Sequence, residues 1–308
     1  MQLYLPIAEL PLNLFLLLGM GGAIGFISGM FGVGGGFLLT PLLIFVGVPA
    51  PVAVATSSVH IAASSVTGAL NYWRRNALDV KLGSVLVSGG LVGTVLGVIF
   101  FNQMRRLGHL DLVITLSYVT LLMSVGCLMF VESIGAMIDT RRGRSVALRS
   151  PGEHRWYERL PFPMRFHRSK MSTSVIPLIA LGVVIGFIGT VLGIGGGFLV
   201  VPALIYLFRV PTSVVVGTSL FQILVTMLVA TFLHATVSQA VDVLLALTLV
   251  VGGVIGAQFG ARAGQGLRGE HFRLLLALLI LLVGIRFAFD IIADPNDRYS
   301  INATELER

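Results

Sequence analysis

Gly25 to Pro41 reads GFISGMFGVGGGFLLTP, and Gly186 to Pro202 reads GFIGTVLGIGGGFLVVP. Ten of the 17 aligned positions are identical, among them Gly34, Gly35 and Gly36 against Gly195, Gly196 and Gly197. The match resumes downstream, where VPAPVAVATS (Val48 to Ser57) faces VPTSVVVGTS (Val210 to Ser219). In each copy an apolar run is broken by glycines, which weaken a helix and admit positive φ. A new apolar run starts at once, at Phe37 or Phe198. Such a duplication, with a glycine-broken helix at the same place in both halves, is a build found in membrane proteins with internal repeats.

Composition sets the environment. The 308 residues are 56% hydrophobic and 11% charged, against about 25% charged in soluble domains, and mean hydropathy is +0.94. Five apolar segments precede a basic loop: Leu12–Phe31, Phe37–Gly47, Val52–Trp73, Val80–Phe101 and Leu110–Val131. Five follow it: Val175–Leu192, Phe198–Phe208, Ser213–His234, Val241–Ala263 and Phe272–Ile292. Most approach the ~20 apolar residues that a spanning helix needs, but the second of each five would cross only about half of a ~30 Å core. The expected fold is an all-α polytopic membrane protein, an inverted-topology tandem repeat of about five helical segments per half. The first repeat covers 1–134, a basic loop 135–172, the second repeat 173–292 and a tail 293–308. The first segment reads as a span and not as a removable signal peptide.

Charge orients it. The net charge of +7 is no sign of nucleic-acid binding, because Gly135 to Ser172 alone carries nine Arg/Lys and three Asp/Glu. Such a loop marks the cytoplasmic face. Five crossings per half then put the Arg74/Arg75/Lys81 and Arg262/Arg268/Arg273 turns inside and both termini outside, and only Arg105/Arg106 fall on the wrong side. The loop reads as a linker lying on the anionic inner leaflet, or as a regulatory or partner-binding segment. Cys127 allows no disulfide within the chain.

The helix that follows each glycine break presents unpaired N–H groups and the positive end of its dipole. Two such ends facing each other suit an anion; tight packing is the other reason for the glycines. On the third segment, Thr56, His60, Ser64, Thr67 and Asn71 fall on one helix face, and Thr218, Gln222 and Thr226 repeat its first three places, with Ser57 paired to Ser219. Polar groups inside a membrane face the bundle interior or a watery path, although hydroxyls also bond back to their own helix. His60, the histidine deep in an apolar segment, can donate to an anion, titrate or hold packing. The stripes Gly89-Gly93-Gly97 and Gly252-Gly256-Gly260 read as close-packing surfaces, and Asp79 and Asp242 as N-caps.

No segment carries a carboxylate at its middle, where cation-coupled carriers need one. There is no HExxH, CxxC, Ser/His/Asp set or P-loop, so an enzyme or ATP-driven pump is not expected, nor a cofactor or metal. The doubled pattern G-F-I-x-x-x-x-G-[VI]-G-G-G-F-L-x-x-P, followed by V-P-x-x-V-x-V-x-T-S, resembles the sulfite exporter TauE/SafE family over nearly the whole chain outside the central loop and the ends. That resemblance implies a bacterial inner-membrane transporter, working in the export direction, of small sulfur-containing anions such as sulfite, sulfoacetate or related organosulfonates. The expected binding shell joins Gly34, Gly35, Gly36, Phe37, Thr56, Ser57 and His60 to Gly195, Gly196, Gly197, Phe198, Thr218, Ser219 and Gln222 at the midplane. Ser64, Asn71 and Thr226 line the approach. An anion channel with the same lining, or an assembly protein acting through the basic loop, are the alternatives.

Overall fold

The computed structural model describes residues 2–31, 36–141, 161–166, 168–169, 171–208, 210, 212–263 and 269–292. A short antiparallel hairpin, β1 (Gln2–Leu5) with β2 (Leu10–Asn13), leads into α1 (Leu14–Phe31), α2 (Gly36–Phe45), α3 (Ala50–Arg74), α4 (Val80–Arg106) and α5 (Leu110–Arg141). A second hairpin, β3 (Pro163–Phe166) with β4 (Met171–Ser174), leads into α6 (Val175–Leu192), α7 (Gly197–Pro202), α8 (Thr212–Leu233), α9 (Val243–Ala263) and α10 (Gly269–Ile292). α7 and α8 each end in one π turn, Ala203–Leu207 and His234–Ser238. Six of the described helices are long and apolar enough to cross a membrane, and the protein is an all-α polytopic membrane protein.

Two details differ from the sequence boundaries. α5 continues to Arg141, past residue 134, and the last part of the expected loop is the β3–β4 hairpin. The rest of the basic loop, 142–160, and the tail from 293 lie outside the described residues. The short second segments are half-helices: α2 has ten residues, about 15 Å at 1.5 Å per residue, half of a ~30 Å core.

The helices pair in a pattern that survives exchanging each with the one five places along. α1 packs on α9 and α6 on α4, while α3 packs on α8 and α5 on α10. The first two pairs rest on glycine. A Cβ on Gly25 would stand 2.2 Å from the Gly253 carbonyl oxygen, and one on Gly186 would stand 2.2 Å from that of Gly90. Gly252, Gly256 and Gly260 press on the α1 backbone as Gly89, Gly93 and Gly97 press on that of α6. Lipid tails are as apolar as leucine, so this backbone approach, and not hydrophobic exclusion, is what holds the pairs together.

α3 and α8 run antiparallel. Gly217 abuts Tyr72 and Ala77, Gly68 abuts Leu220, and Ile61 clusters with Ile223 and Met227. The bundle therefore has a β1–β2 face, where α3 and α9 begin and α4 and α8 end, and a β3–β4 face, where α4 and α8 begin and α3 ends.

Gly25→Ala and Gly186→Ala are each expected to lower the melting temperature of the detergent-solubilised protein, because overpacking costs about 1–3 kcal/mol. Gly19→Ala, whose Cβ meets nothing within 4 Å, is the matched control and stays within about 0.5 kcal/mol.

Candidate functional site

Gly36, at the start of α2, and Gly195, in the second glycine break, both press on Ile61 in the α3–α8 pair. Gly193 ends α6 in the left-handed region (φ 66°), and Gly195 and Gly196 both have φ 77°. A Cβ on Gly195 would fall 2.6 Å from Ile61 Cγ2 and 3.2 Å from Ile223 Cγ2; one on Gly36 would fall 2.1 Å from Ile61 Cδ1 and 2.9 Å from the Ile194 carbonyl oxygen. Phe37 and Phe198, the first side chains of the two half-helices, stack with ring centroids 4.8 Å apart and planes 15° apart. Carbonyls freed at the end of α6 find partners in the other half: Thr40 Oγ1 donates to Gly193 O at 3.2 Å, and the Tyr118 hydroxyl donates to Leu192 O. Gly34 and Gly35 lie outside the described residues; Gly36, Phe37 and Gly195 to Phe198 do converge.

His60 and Gln222 adjoin Ile61 and Ile223 in sequence, with His60 against Gly253 of α9 and Gln222 against Gly90 of α4. His60 is fully buried; Nδ1 lies 3.0 Å from Leu249 O, and Nε2 has no partner among the described residues. Its ring fits only because residue 253 is glycine, where a Cβ would fall 2.0 Å from His60 Cε1. Gln222 lies against Gly90 in the same manner, and neither its Oε1 nor its Nε2 has a partner among the described residues. Ser57 Oγ is likewise buried and unpaired, whereas Ser219 Oγ bonds back to Val216 O and the Thr226 hydroxyl to Gln222 O and Ile223 O.

Thr56 and Thr218 are not brought together. Thr218 adjoins Gly217, which touches Tyr72, and Tyr72 lies about 24 Å along α3 from Thr56 at 1.5 Å per residue. Each hydroxyl has a different employment. Thr56 Oγ1 accepts from the Asp242 N–H, and Thr218 Oγ1 accepts from the Asp79 N–H, both at 3.1 Å. Asp79 caps α4 through Leu82 N–H, and Asp242 receives Leu245 N–H at the start of α9. The second carboxylate oxygens hold the hairpin tips: Asp242 accepts from Ile7 and Ala8 N–H, and Asp79 from Ser169 N–H and Oγ. Both carboxylates are buried yet satisfied, as a charge inside a membrane protein must be. Sequence identifies the caps; the hairpins had no detectable signal, being four-residue strands without sequence likeness between the copies.

A polar cavity of about 550 Å³ opens toward the β3–β4 face, lined by Ser28, Ser64, Thr67, Asn71, Arg75 and Arg262 among others, with no carboxylate among the described residues of its lining. Ser64 stands one turn along α3 from His60, so the cavity reaches to within a turn of the junction. Two guanidiniums near a polar cleft raise the local concentration of anions.

His234 was not singled out by sequence, because it falls at the end of its apolar segment. It is fully buried, like His60. Arg105, on the wrong side by the charge rule, donates to the Ser238 carbonyl and so caps the end of α8.

The family model "Sulfite exporter TauE/SafE" matches residues 17–287. The chain belongs to the sulfite exporter TauE/SafE family. It is a membrane transporter, as the members of this family are. A Xylella fastidiosa protein named "Probable membrane transporter protein" is 30% identical over 283 residues, covering 89% of this chain and 94% of its own. The Bacillus subtilis "Probable membrane transporter protein YjnA" is 27% identical over 270 residues, covering 87% and 96%. An Arabidopsis thaliana "Sulfite exporter TauE/SafE family protein 6" is 26% identical over 134 residues, covering 41% and 30%. No solved structure matches the chain.

Thr56→Val and Thr218→Val are expected to act on stability, because each leaves a buried N–H unpaired at about 1–3 kcal/mol. Asp79→Ala goes further: it removes the cap, about 1 kcal/mol, and releases the hairpin. Hydrogen–deuterium exchange should then rise in both 161–174 and the first turn of α4 while α9 stays protected.

Proposed function

We propose that this transporter moves small sulfur-containing oxyanions, sulfite, sulfoacetate or related organosulfonates, out of the cytoplasm by alternating access around a midplane site. The carrying observation is a set of buried polar atoms without partners among the described residues, Gln222 Nε2, Ser57 Oγ and His60 Nε2, close to Gly36 and Gly195; because His60 Nδ1 donates to the Leu249 carbonyl, Nε2 donates only in the imidazolium form that a bound anion favours. Buried polar groups in a membrane protein are expensive, and unsatisfied ones point to a ligand. An oxyanion has acceptors on every side and would satisfy His60, Gln222, Ser57 and the backbone N–H groups around Gly36–Phe37 and Gly195–Phe198 together. Thr56, Thr218 and Ser219 then belong to the frame, and Ser64, Asn71, Arg75 and Arg262 to the approach.

With the basic loop cytoplasmic, the β3–β4 face is the inner face, the cavity opens inward and both termini lie outside. The loop's arginines then meet the anionic leaflet of a bacterial inner membrane. Expulsion of an anion needs no coupling ion, since an inside-negative potential contributes about 2.3 kcal/mol per charge per 100 mV. Rocking of the two halves about the Phe37–Phe198 contact would expose the site to each side in turn.

The test is flux of labelled sulfite and sulfoacetate into or out of proteoliposomes under an imposed potential of either sign. Saturable flux that follows the potential is expected. His60→Ala and Gln222→Leu should each slow it by about ten- to a hundredfold, the worth of a hydrogen bond to a charged group (about 1.5–3 kcal/mol). Unsaturable flux at channel rates would replace alternating access by a pore, and no flux of either anion at any potential would sink the substrate assignment.

Deleting 145–158, which spares the hairpin on Asp79, should leave flux intact. Loss of activity there would favour a partner-binding role for the loop.

A further inference from the structure

A second buried polar cluster sits at the β1–β2 face, beyond the junction and opposite the open cavity. Its members come from three helices. His234 Nε2 lies 3.3 Å from Thr190 O, and His234 Nδ1 lies 3.2 Å from Ser238 Oγ. Phe101 packs edge-on against the imidazole with centroids 4.8 Å apart. Thr94, Thr190 and His234 are all 0% exposed, and neither Thr94 Oγ1 nor Thr190 Oγ1 has a hydrogen-bond partner among the described residues.

These groups continue a line that begins at Gln222. Along one face of α4, Gly90 abuts Gln222 Nε2, Thr94 follows one turn later, Gly97 abuts Thr190, and Phe101 abuts His234. Spacings of four, three and four residues keep that line on one side of the helix.

The repeat explains what the line is. The offset of 161 residues that carries Gly25 onto Gly186 carries Gly29 onto Thr190. The offset of 162 that carries Thr56 onto Thr218 carries Tyr72 onto His234. The offset of 163 that carries Gly89 onto Gly252 carries Thr94 onto Ala257. Gly29, Tyr72 and Ala257 all line the open cavity. Three helices thus place three cavity-lining positions of one face onto three sealed, polar positions of the other. A threonine hydroxyl left unpaired in a sealed membrane interior costs about 1–3 kcal/mol, and neither Gly29 nor Ala257 carries such a group. The sealed side has the extra donors.

We propose that Thr94, Thr190 and His234 form a second anion site, the exit leg of the path, shut in this structure and opened when the cavity at Arg75 and Arg262 closes. In the open state the two hydroxyls and the imidazole donate to the departing oxyanion, and the Arg105 guanidinium, now on the Ser238 carbonyl, stands at the rim. Asp242, the buried carboxylate among the described residues at this end, is already held by Ile7, Ala8 and Leu245 N–H groups, while Glu9 and Asp111 at the same end are exposed. This assignment rests on the alternating-access reading above.

The experiment is side-specific thiol labelling in the full-length protein in membrane vesicles of known orientation. Cys127, which is exposed, is first replaced by serine, and Ser64→Cys, Thr94→Cys and Thr190→Cys are made one at a time. A membrane-impermeant methanethiosulfonate is the probe. Ser64→Cys should react only from the β3–β4 face. Thr94→Cys and Thr190→Cys should react only from the β1–β2 face, and about ten- to a thousandfold more slowly, as expected if the open form is a minor state of 0.1–10%. Modification should then stop flux. Complete protection of Thr94→Cys and Thr190→Cys from both faces, while Ser64→Cys reacts, would make the cluster plain packing. Reaction of either from the β3–β4 face would make the path continuous and overturn the proposal equally. Cysteine is close to threonine in size, and the two positions lie on different helices, so one misfolded variant leaves the other readable. Labelling requires no substrate. Side-specific labelling without sulfite flux would reject the substrate and keep the exit leg, whereas sulfite flux without labelling would keep the transporter and reject the leg.

Discussion

Inside a bilayer, a helix cannot be broken unless other parts of the protein take up the backbone groups that the break releases. At the end of α6 the released carbonyls are provided for. Gly193 O goes to Thr40 and Leu192 O to Tyr118, so side chains of the first half satisfy carbonyls of the second. The two half-helices start side by side, with Phe37 stacked on Phe198. Everything else serves to keep that junction in place. The α1–α9 and α4–α6 pairs clamp it from two sides through glycine-to-carbonyl contacts, and the α3–α8 pair runs through its centre.

The same rule governs the two buried carboxylates. Asp79 and Asp242 would be intolerable in the interior as bare charges, and each is surrounded by N–H donors from its own helix and from a hairpin belonging to the other half of the chain. The third helix of the opposite half adds a threonine to each of these knots. Two polar knots, one near each face, thus tie each half to the other. His60 and Gln222, by contrast, keep polar atoms without partners among the described residues.

The two faces of the bundle are not alike. On one face the polar stripe of α3 widens into a cavity with arginines in its lining; on the other, the corresponding positions are filled by threonine and histidine and sealed under Phe101. The two faces of the bundle thus differ in their side chains, one open and lined by arginines, the other packed.

The sequence by itself determined the membrane environment, the duplication, the two glycine breaks, the shortness of α2 and α7 and the capping role of Asp79 and Asp242. These are local properties: apolar run length, backbone freedom at glycine, and a short acidic side chain at a helix start. Only the tertiary structure decided which polar residues share a place. Thr56 and Thr218 look equivalent to His60 and Gln222 in a one-dimensional stripe, yet the antiparallel crossing of α3 and α8 sends the two threonines to opposite faces and leaves the other two beside the breaks. His234 likewise gained its burial from α4 and α6, which lie far from it in the chain. Periodicity tells which face of a helix a residue occupies; the direction and level at which a partner helix crosses that face are set by packing contacts with no local trace in the sequence.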